Sequence, residues 1–191
     1  MVLVIGAGPT GVMHVKLAKA RGAGRVIVSE PIPDRAAQAK RIGADRVVDP
    51  TAENLESVLG EESNGRGADV IKFAAPVHAA QESALDLAAI GGRINYLGGL
   101  PKDRPIINFN SNLVQYKELT VTGTTGCSTA DCWQAVQIVN AGLDDLSDIV
   151  SRRFPLKEAM TAFAAAEDRK SRKKFWNRKS CLPSLLLWNA R

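Results

Sequence analysis

Cysteine and histidine are scarce in this chain, which has three cysteines and two histidines among 191 residues. The cysteines, Cys127, Cys132 and Cys181, form neither a disulfide framework nor a Cys-x-x-Cys pair. His14 and His78 lie at no spacing from them that a zinc site uses, and we expect both histidines at the surface. The sequence therefore predicts reduced thiols and no bound metal.

A long apolar run is also absent, since no segment approaches the roughly 18 to 20 apolar residues of a membrane span. The N-terminus has neither the basic region nor the small-residue cleavage site of a signal peptide. The apolar content of 45% is ordinary for one globular domain with an appendage. We therefore expect no membrane span and a cytoplasmic location.

Acidic side chains are missing from residues 169–191, which hold eight basic residues, whereas the whole chain has a net charge of +5. Subtracting these eight charges from +5 leaves −3 for residues 1–168. The positive charge is thus concentrated in a short tail, and the rest of the chain has no basic stripe or nucleic-acid motif. We expect no nucleic-acid partner.

The N-terminal stretch VLVIGAGPTGVMHVKLAKARG combines a short apolar run, three glycines and a helical pattern. Residues 2–5 are continuous and mostly β-branched, which is typical of a central parallel strand buried on both faces. The following residues predict a helix whose apolar side contains Met13, Leu17 and Ala20. The stretch therefore predicts a strand, a tight turn and a helix.

The three glycines of this turn have separate mechanical roles in a dinucleotide-binding site. Gly6 allows the tight turn, Gly8 lets the backbone approach a pyrophosphate, and Gly11 lets the helix pack closely on the strand. Pro9 suits the first helical turn, where its missing donor is not needed. The amides at the helix start then face the anion.

An acidic residue, Glu30, ends the second predicted strand about twenty residues after the glycine turn. A carboxylate at this place accepts hydrogen bonds from a ribose and repels a 2′-phosphate, which favours NAD over NADP. Arg35 follows one helical turn later. It can lie against the adenosine end of a cofactor or be a solvated helix charge, and the pattern leaves both interpretations open.

Strand and helix alternate through the first hundred residues, which predicts an α/β fold of the Rossmann type: a doubly wound parallel sheet with helices on both faces. The second helix should end at Gly43, and the helix after the fourth strand should cover residues 79–89, with two glycines separating it from the fifth strand. Segments 74–76 and 97–99, which contain alanines and glycines, follow the fourth and fifth strands. They are either ordinary loop residues or space for a flat ring, and we favour the cofactor interpretation.

Two further helices are predicted beyond the sixth strand, which ends in a second glycine-rich turn. Ser128 with Asp131 resembles a capping box at the start of the first of these helices. Its expected buried residues are Cys132, Ala135, Val136 and Val139. The last helix should have one apolar face, formed by Ala159, Met160, Phe163 and Ala166.

Seven segments together resemble the cofactor-binding domain of zinc-type medium-chain alcohol and polyol dehydrogenases, the group that contains sorbitol and threonine dehydrogenases. They are VLVIGAGPTGVM, GAGRVIVSEP, RIGADRVVDP, GADVIKFAAP, GGRINYLGGLP, YKELTVTGTTG and VSRRFPLKEAMTAF, in the family's order and spacing. The resemblance covers residues 1 to about 168 and implies that the cofactor is NAD.

The resemblance also implies which residues contact the cofactor. The glycines of the first turn would hold the pyrophosphate, Glu30 and Arg35 the adenosine ribose, and Ala74, Leu97 and Thr124 the neighbourhood of the nicotinamide. The full set of implied contacts is Gly6, Gly8, Pro9, Thr10, Gly11, Glu30, Arg35, Ala74, Ala75, Leu97, Gly98 and Thr124.

Three segments follow from the resemblance. Residues 1–145 would be the NAD-binding Rossmann domain, and residues 146–170 a remnant helix and strand that pack with a catalytic domain whose zinc ligands are not in this sequence. Zinc is therefore expected only in the full-length family, and no catalytic residue or metal ligand is assigned here. Residues 171–191 depart from the family pattern and are expected to be disordered; a reading-frame change in the source gene and a true membrane- or partner-binding tail are both open.

Two functions are compatible with these residues. The first is the NAD-binding domain of a zinc-type alcohol or polyol dehydrogenase, which transfers hydride between an alcohol and NAD and is inactive without its catalytic domain. The alternative is a non-catalytic NAD-binding or sensing module, while the complete G-x-G-x-x-G argues against a methyltransferase. The resemblance further implies a homodimer paired through PIINF, residues 105–109. The substrate is not specified.

Overall fold

Six parallel strands form the main sheet of this protein, for which we describe a computed structural model covering residues 1–142, 146–150, 152–167 and 175–176. The strand order is β3-β2-β1-β4-β5-β6. The strands are β1 Val2–Ile5, β2 Val26–Ser29, β3 Arg46–Val48, β4 Ala68–Phe73, β5 Ala88–Tyr96 and β6 Thr120–Gly123. In the central strand, Leu3 lies opposite Ile27 on one side and Ile71 on the other. The predicted doubly wound α/β fold is confirmed.

Seven helices connect or follow these strands in the described part of residues 1–145. They are α1 Pro9–Ala20, α2 Pro33–Ile42, α3 Leu55–Ser63, α4 His78–Glu82, α5 Ala84–Leu87, α6 Ser111–Tyr116 and α7 Thr129–Asn140. Helices α1 and α2 contact each other, and α5 contacts α3, α4 and α6, so two groups of helices cover the two faces of the sheet. As predicted, α2 ends at Gly43, which has a left-handed backbone.

The boundary between α5 and β5 differs from the prediction. The helical segment expected over 79–89 ends at Leu87, and β5 begins at Ala88 and runs through the two glycines that were expected to separate helix from strand. The Nζ of Lys117 donates to the carbonyl oxygens of Leu85, Asp86 and Ala88. This lysine, thirty residues away in sequence, satisfies the carbonyls at the end of the helix, and the local pattern could not reveal it.

Helix α1 is rotated relative to the apolar side expected from its sequence. Gly11, Val12 and Val15 are buried, whereas Met13 and Leu17 are 38% and 39% exposed. The close approach at Gly11 determines which side of the helix faces the sheet, and it outweighs the larger apolar residues. The prediction for Met13 and Leu17 is therefore wrong.

The two histidines are half-buried rather than at the surface. Burial, with a smaller contribution from the positive charge of Lys72, lowers the pKa of His14 below its ordinary value. His78 begins α4, and its Nδ1 lies 3.8 Å from Oε1 of Glu82. Among the described residues, no group of three or more histidine, cysteine or acidic side chains can hold a metal ion.

Helix α7 begins at the predicted capping box but does not bury the predicted side. Cys132, Ala135, Val136 and Val139 are all exposed, as is Trp133. Apolar periodicity indicates which side of a helix can be buried, but burial also needs a neighbouring element, and the described residues of this unit do not supply one. The prediction that Cys132 is a core residue is wrong.

The chain divides into two compact units, Met1–Asp145 and Leu146–Arg191. The second contains two short 3₁₀ helices, Ser147–Ile149 and Leu156–Glu158, together with β7 Arg153–Phe154, α8 Ala159–Glu167 and β8 Phe175–Trp176. Strand β8 pairs in parallel with β7.

The last predicted helix is present as α8, but Met160 and Phe163 of its expected apolar face are exposed, and the side chain of Ala166 lies outside the described residues. The tail predicted over 171–191 also lies outside them, apart from β8. No helix in the described ranges is both long and apolar enough to cross a membrane.

Candidate functional site

The predicted site residues follow the carboxyl ends of five strands of the main sheet. The glycine turn follows β1, Glu30 follows β2, Ala74 and Ala75 follow β4, Leu97 and Gly98 follow β5, and Thr124 follows β6. Because all six strands are parallel, these ends lie along one edge of the sheet. The fold therefore places the predicted residues on the edge where sheets of this kind bind ligands.

Two of the three glycines in the first turn are required by the protein's own packing. Gly6 has a φ of +92°, and its N–H donates to the carbonyl of Ser29 at 2.8 Å. A Cβ on Gly11 would lie 1.8 Å from the carbonyl oxygen of Gly6. These two glycines hold α1 against the turn that begins it.

Gly8 differs from its neighbours, because no contact among the described residues explains why it lacks a side chain. Its φ is −64°, which any residue adopts, and a Cβ there would meet no atom of those residues within 4 Å. The open space lies at the start of α1, where Gly8 has no side chain to cap the helix and Pro9 has no N–H. The first turn therefore presents the backbone amides of Thr10 and Gly11 and the positive end of a twelve-residue helix to that space.

Glu30 is 4% exposed and connects the glycine turn to the end of β2. Its Oε2 accepts a hydrogen bond from the N–H of Ala7 at 2.7 Å, and its Oε1 accepts one from the N–H of Ile32 at 3.0 Å. Each oxygen of an ionised carboxylate can accept a second hydrogen bond. The carboxylate thus positions the turn and retains the capacity to accept from a ribose hydroxyl.

A cavity of about 440 Å³ opens beside Glu30, between α2 and β3. Its two basic residues are engaged: Arg46 forms an ion pair with Glu53, and the Nζ of Lys40 donates to the carbonyl of Asp45. Arg35 is half-buried in the first turn of α2. In the sequence, the local reason for assigning Arg35 to the cofactor was its spacing from Glu30.

The small residues after β4 and β5 have a structural explanation of their own. A Cβ on Gly98 would lie 2.9 to 3.0 Å from three backbone atoms of Ala75, and a Cβ on Gly6 would lie 2.7 Å from the Cβ of Ala75. The N–H of Gly98 donates to the carbonyl of Phe73 at 2.8 Å. Close packing of the strand ends therefore accounts for Gly98 and for the small side chain of Ala75, whether or not a ring also lies against them.

Three polar side chains that the sequence pattern did not single out fix this edge. The Nε2 of the buried Gln81 donates to the carbonyl of Gly98 at 2.8 Å, and the hydroxyl of Tyr96 donates to the carbonyl of Gln81 at 3.1 Å. Burial raises the pKa of Tyr96 above its ordinary value. The Nδ2 of Asn95 donates to the hydroxyl of Thr124 at 2.6 Å. In the sequence, Gln81 could have been noticed as the one glutamine of an alanine-rich helix that follows a strand.

Comparison with known proteins identifies relatives of this arrangement. The family model described as zinc-binding dehydrogenase matches residues 9–141. An L-threonine 3-dehydrogenase from Caldanaerobacter subterraneus subsp. tengcongensis is 37% identical over 159 residues, which cover 82% of this chain and 45% of that protein. The chain thus spans about half the length of the curated relatives it matches.

Solved structures agree with this comparison. An alcohol dehydrogenase from Thermotoga maritima has a TM-score of 0.79 and 30% identity, covering 89% of this chain and 47% of that one. A zinc-binding dehydrogenase from Sinorhizobium meliloti 1021, solved with NADP, has a TM-score of 0.77 and 28% identity, covering 86% of this chain and 48% of that one. The family model matches more than half of the chain, and the L-threonine 3-dehydrogenase is more than 30% identical over more than two thirds of it, so the chain belongs to the zinc-binding dehydrogenase family.

Proposed function

We propose that this chain binds NAD along the carboxyl edge of its sheet and is the cofactor-binding domain of an alcohol or polyol dehydrogenase. The observation that carries the proposal is the open space at Gly8, because the fold itself does not need a glycine there. A pyrophosphate at that place would accept hydrogen bonds from the first turn of α1. The carboxylate of Glu30 would accept from the adenosine ribose, with Arg35 beside it.

The remaining residues of the proposed site would contact the cofactor along the same edge. Gly6, Pro9, Thr10 and Gly11 belong to the pyrophosphate turn, whereas Ala74, Ala75, Leu97, Gly98 and Thr124 would lie near the nicotinamide. When bound, NAD supplies the hydride acceptor, and this chain's residues bind and orient it. The described side chains contain no donor set that fits zinc, so we assign them no step of alcohol activation.

The cofactor assignment is tested by calorimetry with a matched pair of glycine variants. In the part of the chain that the structure describes, a Cβ added to Gly24, like one added to Gly8, would meet no atom within 4 Å, and neither glycine has a positive φ. Gly24, however, lies before β2 at the opposite edge of the sheet. We expect Gly8→Val to weaken NAD binding at least about tenfold, which corresponds to about 1.4 kcal/mol, while Gly24→Val leaves it unchanged. Both variants should remain folded, and Gly8→Val should cost no more than about 1 kcal/mol of stability, because valine is a poorer N-cap residue than glycine. Equal NAD affinity in both variants would contradict the proposal.

The same titrations test cofactor preference and activity. We expect NAD to bind more tightly than NADP, because the carboxylate of Glu30 would face the 2′-phosphate and like charges at close range repel. Arg35 beside the ribose is the opposing charge, and equal or tighter binding of NADP would contradict the assignment of Glu30 to the ribose. S-adenosylmethionine should not bind. Incubation with NAD and a panel of polyols, secondary alcohols and threonine should give no reduced cofactor, and turnover near 1 per second or faster would show a catalytic site in this chain.

We also propose that the protein forms a homodimer through residues 105–109. Ile106 is 81% exposed and Phe109 is 48% exposed, which is unusual for two large apolar side chains so close in sequence. Sedimentation velocity should show a dimer for the parent chain and a monomer for Ile106→Lys, with Leu156→Lys, an exposed leucine in the second unit, as the control. A monomeric parent chain at high concentration would contradict this assignment.

A cytoplasmic location is part of the same proposal. It is supported by the cysteine pattern of the sequence, which has three cysteines and no disulfide framework. Cell fractionation of a strain that produces the chain would test it.

A further inference from the structure

Two exposed cysteines meet at the start of α7. The Sγ atoms of Cys127 and Cys132 are 3.4 Å apart, and either thiol can donate the hydrogen bond between them. Their contact, with a smaller effect of the Asp131 charge, raises the pKa of Cys132 above its ordinary value. Their spacing of five residues is not one that pairs cysteines by sequence pattern alone.

The helix cap explains why these two thiols meet. Ser128 is the N-cap of α7, and its hydroxyl accepts a hydrogen bond from the N–H of Asp131 at 3.2 Å, while the Asp131 carboxylate accepts one from the N–H of Ser128 at 2.8 Å. Cys127 is then the residue before the cap, and Cys132 is the fourth residue of the helix. In helices with a capping box, side chains at these two positions pack against each other as a hydrophobic staple. The local fold therefore holds the two sulfurs in contact.

We propose that Cys127 and Cys132 are a reversible dithiol–disulfide couple that covalently locks the first turn of α7. A disulfide has an S–S length of about 2.05 Å, so the sulfurs need to approach by a little over 1 Å, and both belong to side chains on the surface. The bond would join the residue before the helix to its first complete turn. The couple lies three residues beyond Thr124 and is independent of the proposed cofactor function.

The oxidant is a low-molecular-weight disulfide such as glutathione disulfide. The thiolate of one cysteine attacks a sulfur of that disulfide, forms a mixed disulfide with the protein and releases one small thiolate. The thiolate of the second cysteine then attacks the protein sulfur of the mixed disulfide and releases the other small thiol. The protein loses two electrons and two protons, and the small disulfide is reduced to two thiols.

The experiment uses the full chain carrying Cys181→Ser, so that only the two proposed partners remain. The protein is equilibrated with mixtures of reduced and oxidised glutathione, alkylated, and digested with a protease that cuts before aspartate. A cut before Asp131 separates Cys127 from Cys132. We expect the two peptides to remain joined after oxidation and to separate on reduction, with no glutathione attached to either.

The single variants Cys127→Ser and Cys132→Ser provide the matched controls, because the remaining cysteine in each has no partner for an intramolecular disulfide. Repeating the titration in urea shows how readily the disulfide forms when the two cysteines are close only in sequence. The difference from the folded chain is the contribution of the fold. We expect the equilibrium constant for the intramolecular disulfide to be at least about tenfold larger in the folded chain than in urea. Equal constants, or stable glutathione adducts on both cysteines of the folded chain, would overturn the proposal.

Discussion

The two glycine-rich turns of this chain lead into helices of the same length but leave the helix N-termini in opposite states. The first turn follows β1 and leads into α1, and the second follows β6 and leads into α7; each helix has twelve residues. At α1 no described side chain caps the first turn. At α7 the Ser128 side chain accepts a hydrogen bond from the N–H of Asp131, and the Asp131 side chain accepts one from the N–H of Ser128. An uncapped N-terminus has donors for an external anion, and a capped one has already used them.

The two helices also differ in how they pack against the rest of the protein. The first turn of α1 is fixed by contact between Gly11 and Gly6, while the expected inner side of α7 is exposed. Helix α1 is therefore held by the sheet, and α7 depends on its own cap. The comparison teaches that similar local sequence, glycines followed by a helix, can leave backbone donors unused at one helix start and satisfy them with side chains at another.

The largest expected effect tests whether the first turn is held by packing. In Gly11→Ala the new Cβ would lie 1.8 Å from the carbonyl oxygen of Gly6, so the turn or the helix must move. We expect a loss of at least about 3 kcal/mol in the free energy of unfolding, measured by denaturant titration. The matched change in the second turn is Gly126→Ala, where φ is +65° and a Cβ meets no described atom within 4 Å.

Only backbone strain is expected for Gly126→Ala, with a cost of about 1 to 2 kcal/mol. A smaller loss for Gly11→Ala than for Gly126→Ala would show that the two turns are not held differently.

A second, smaller effect tests whether α7 depends on its cap. Ser128→Ala removes the hydroxyl that accepts from the N–H of Asp131, which typically costs about 1 kcal/mol of helix stability. Amide hydrogen exchange should become faster in the first turns of α7 and stay unchanged in α1. Thr129→Ala, at the first helical position, is the control and should have little effect. Equal exchange rates in the two variants would contradict a role for the cap.

Much of the fold could be predicted from the sequence because buried parallel strands produce an unambiguous local pattern. The apolar run at residues 2–5 and the alternation of strand and helix were enough to predict the sheet and its edge. The same local logic predicted the end of α2 and the capping box of α7. These features depend on residues close together in sequence.

The features that were missed depend on contacts between distant residues. The end of α5 is set by Lys117, and the rotation of α1 is set by the approach of Gly11 to Gly6. For α7, periodicity identified an apolar side but not an element to cover it. At the candidate site the residue types and their strand ends were predictable, whereas the internal reason for Gly98 and the role of Gln81 required coordinates.

The smallest expected effect is a difference in acid sensitivity between the two helix starts. The hydroxyl and the N–H of Ser128 donate to the carboxylate of Asp131 and lower the pKa of this carboxyl below its ordinary value of about 3.9. Because the pKa is lower in the folded chain, the stabilisation is fully present above the unfolded value and is lost as the pH falls through the folded value. The first turn of α1 contains no acidic residue, so it has no corresponding dependence.

Carbon NMR of the Asp131 carboxyl should therefore give a pKa below that of an unstructured aspartate, and Ser128→Ala should raise it toward the ordinary value. Proton NMR of the amides should show the first turn of α7 loosening as the pH falls below about 4, before the first turn of α1 changes. Since Asp131 is fully exposed, the effect is confined to the helix start and should not lower the stability of the sheet. If both helix starts respond to acid together, the cap does not distinguish them, and the difference between the two turns rests on the packing of Gly11 alone.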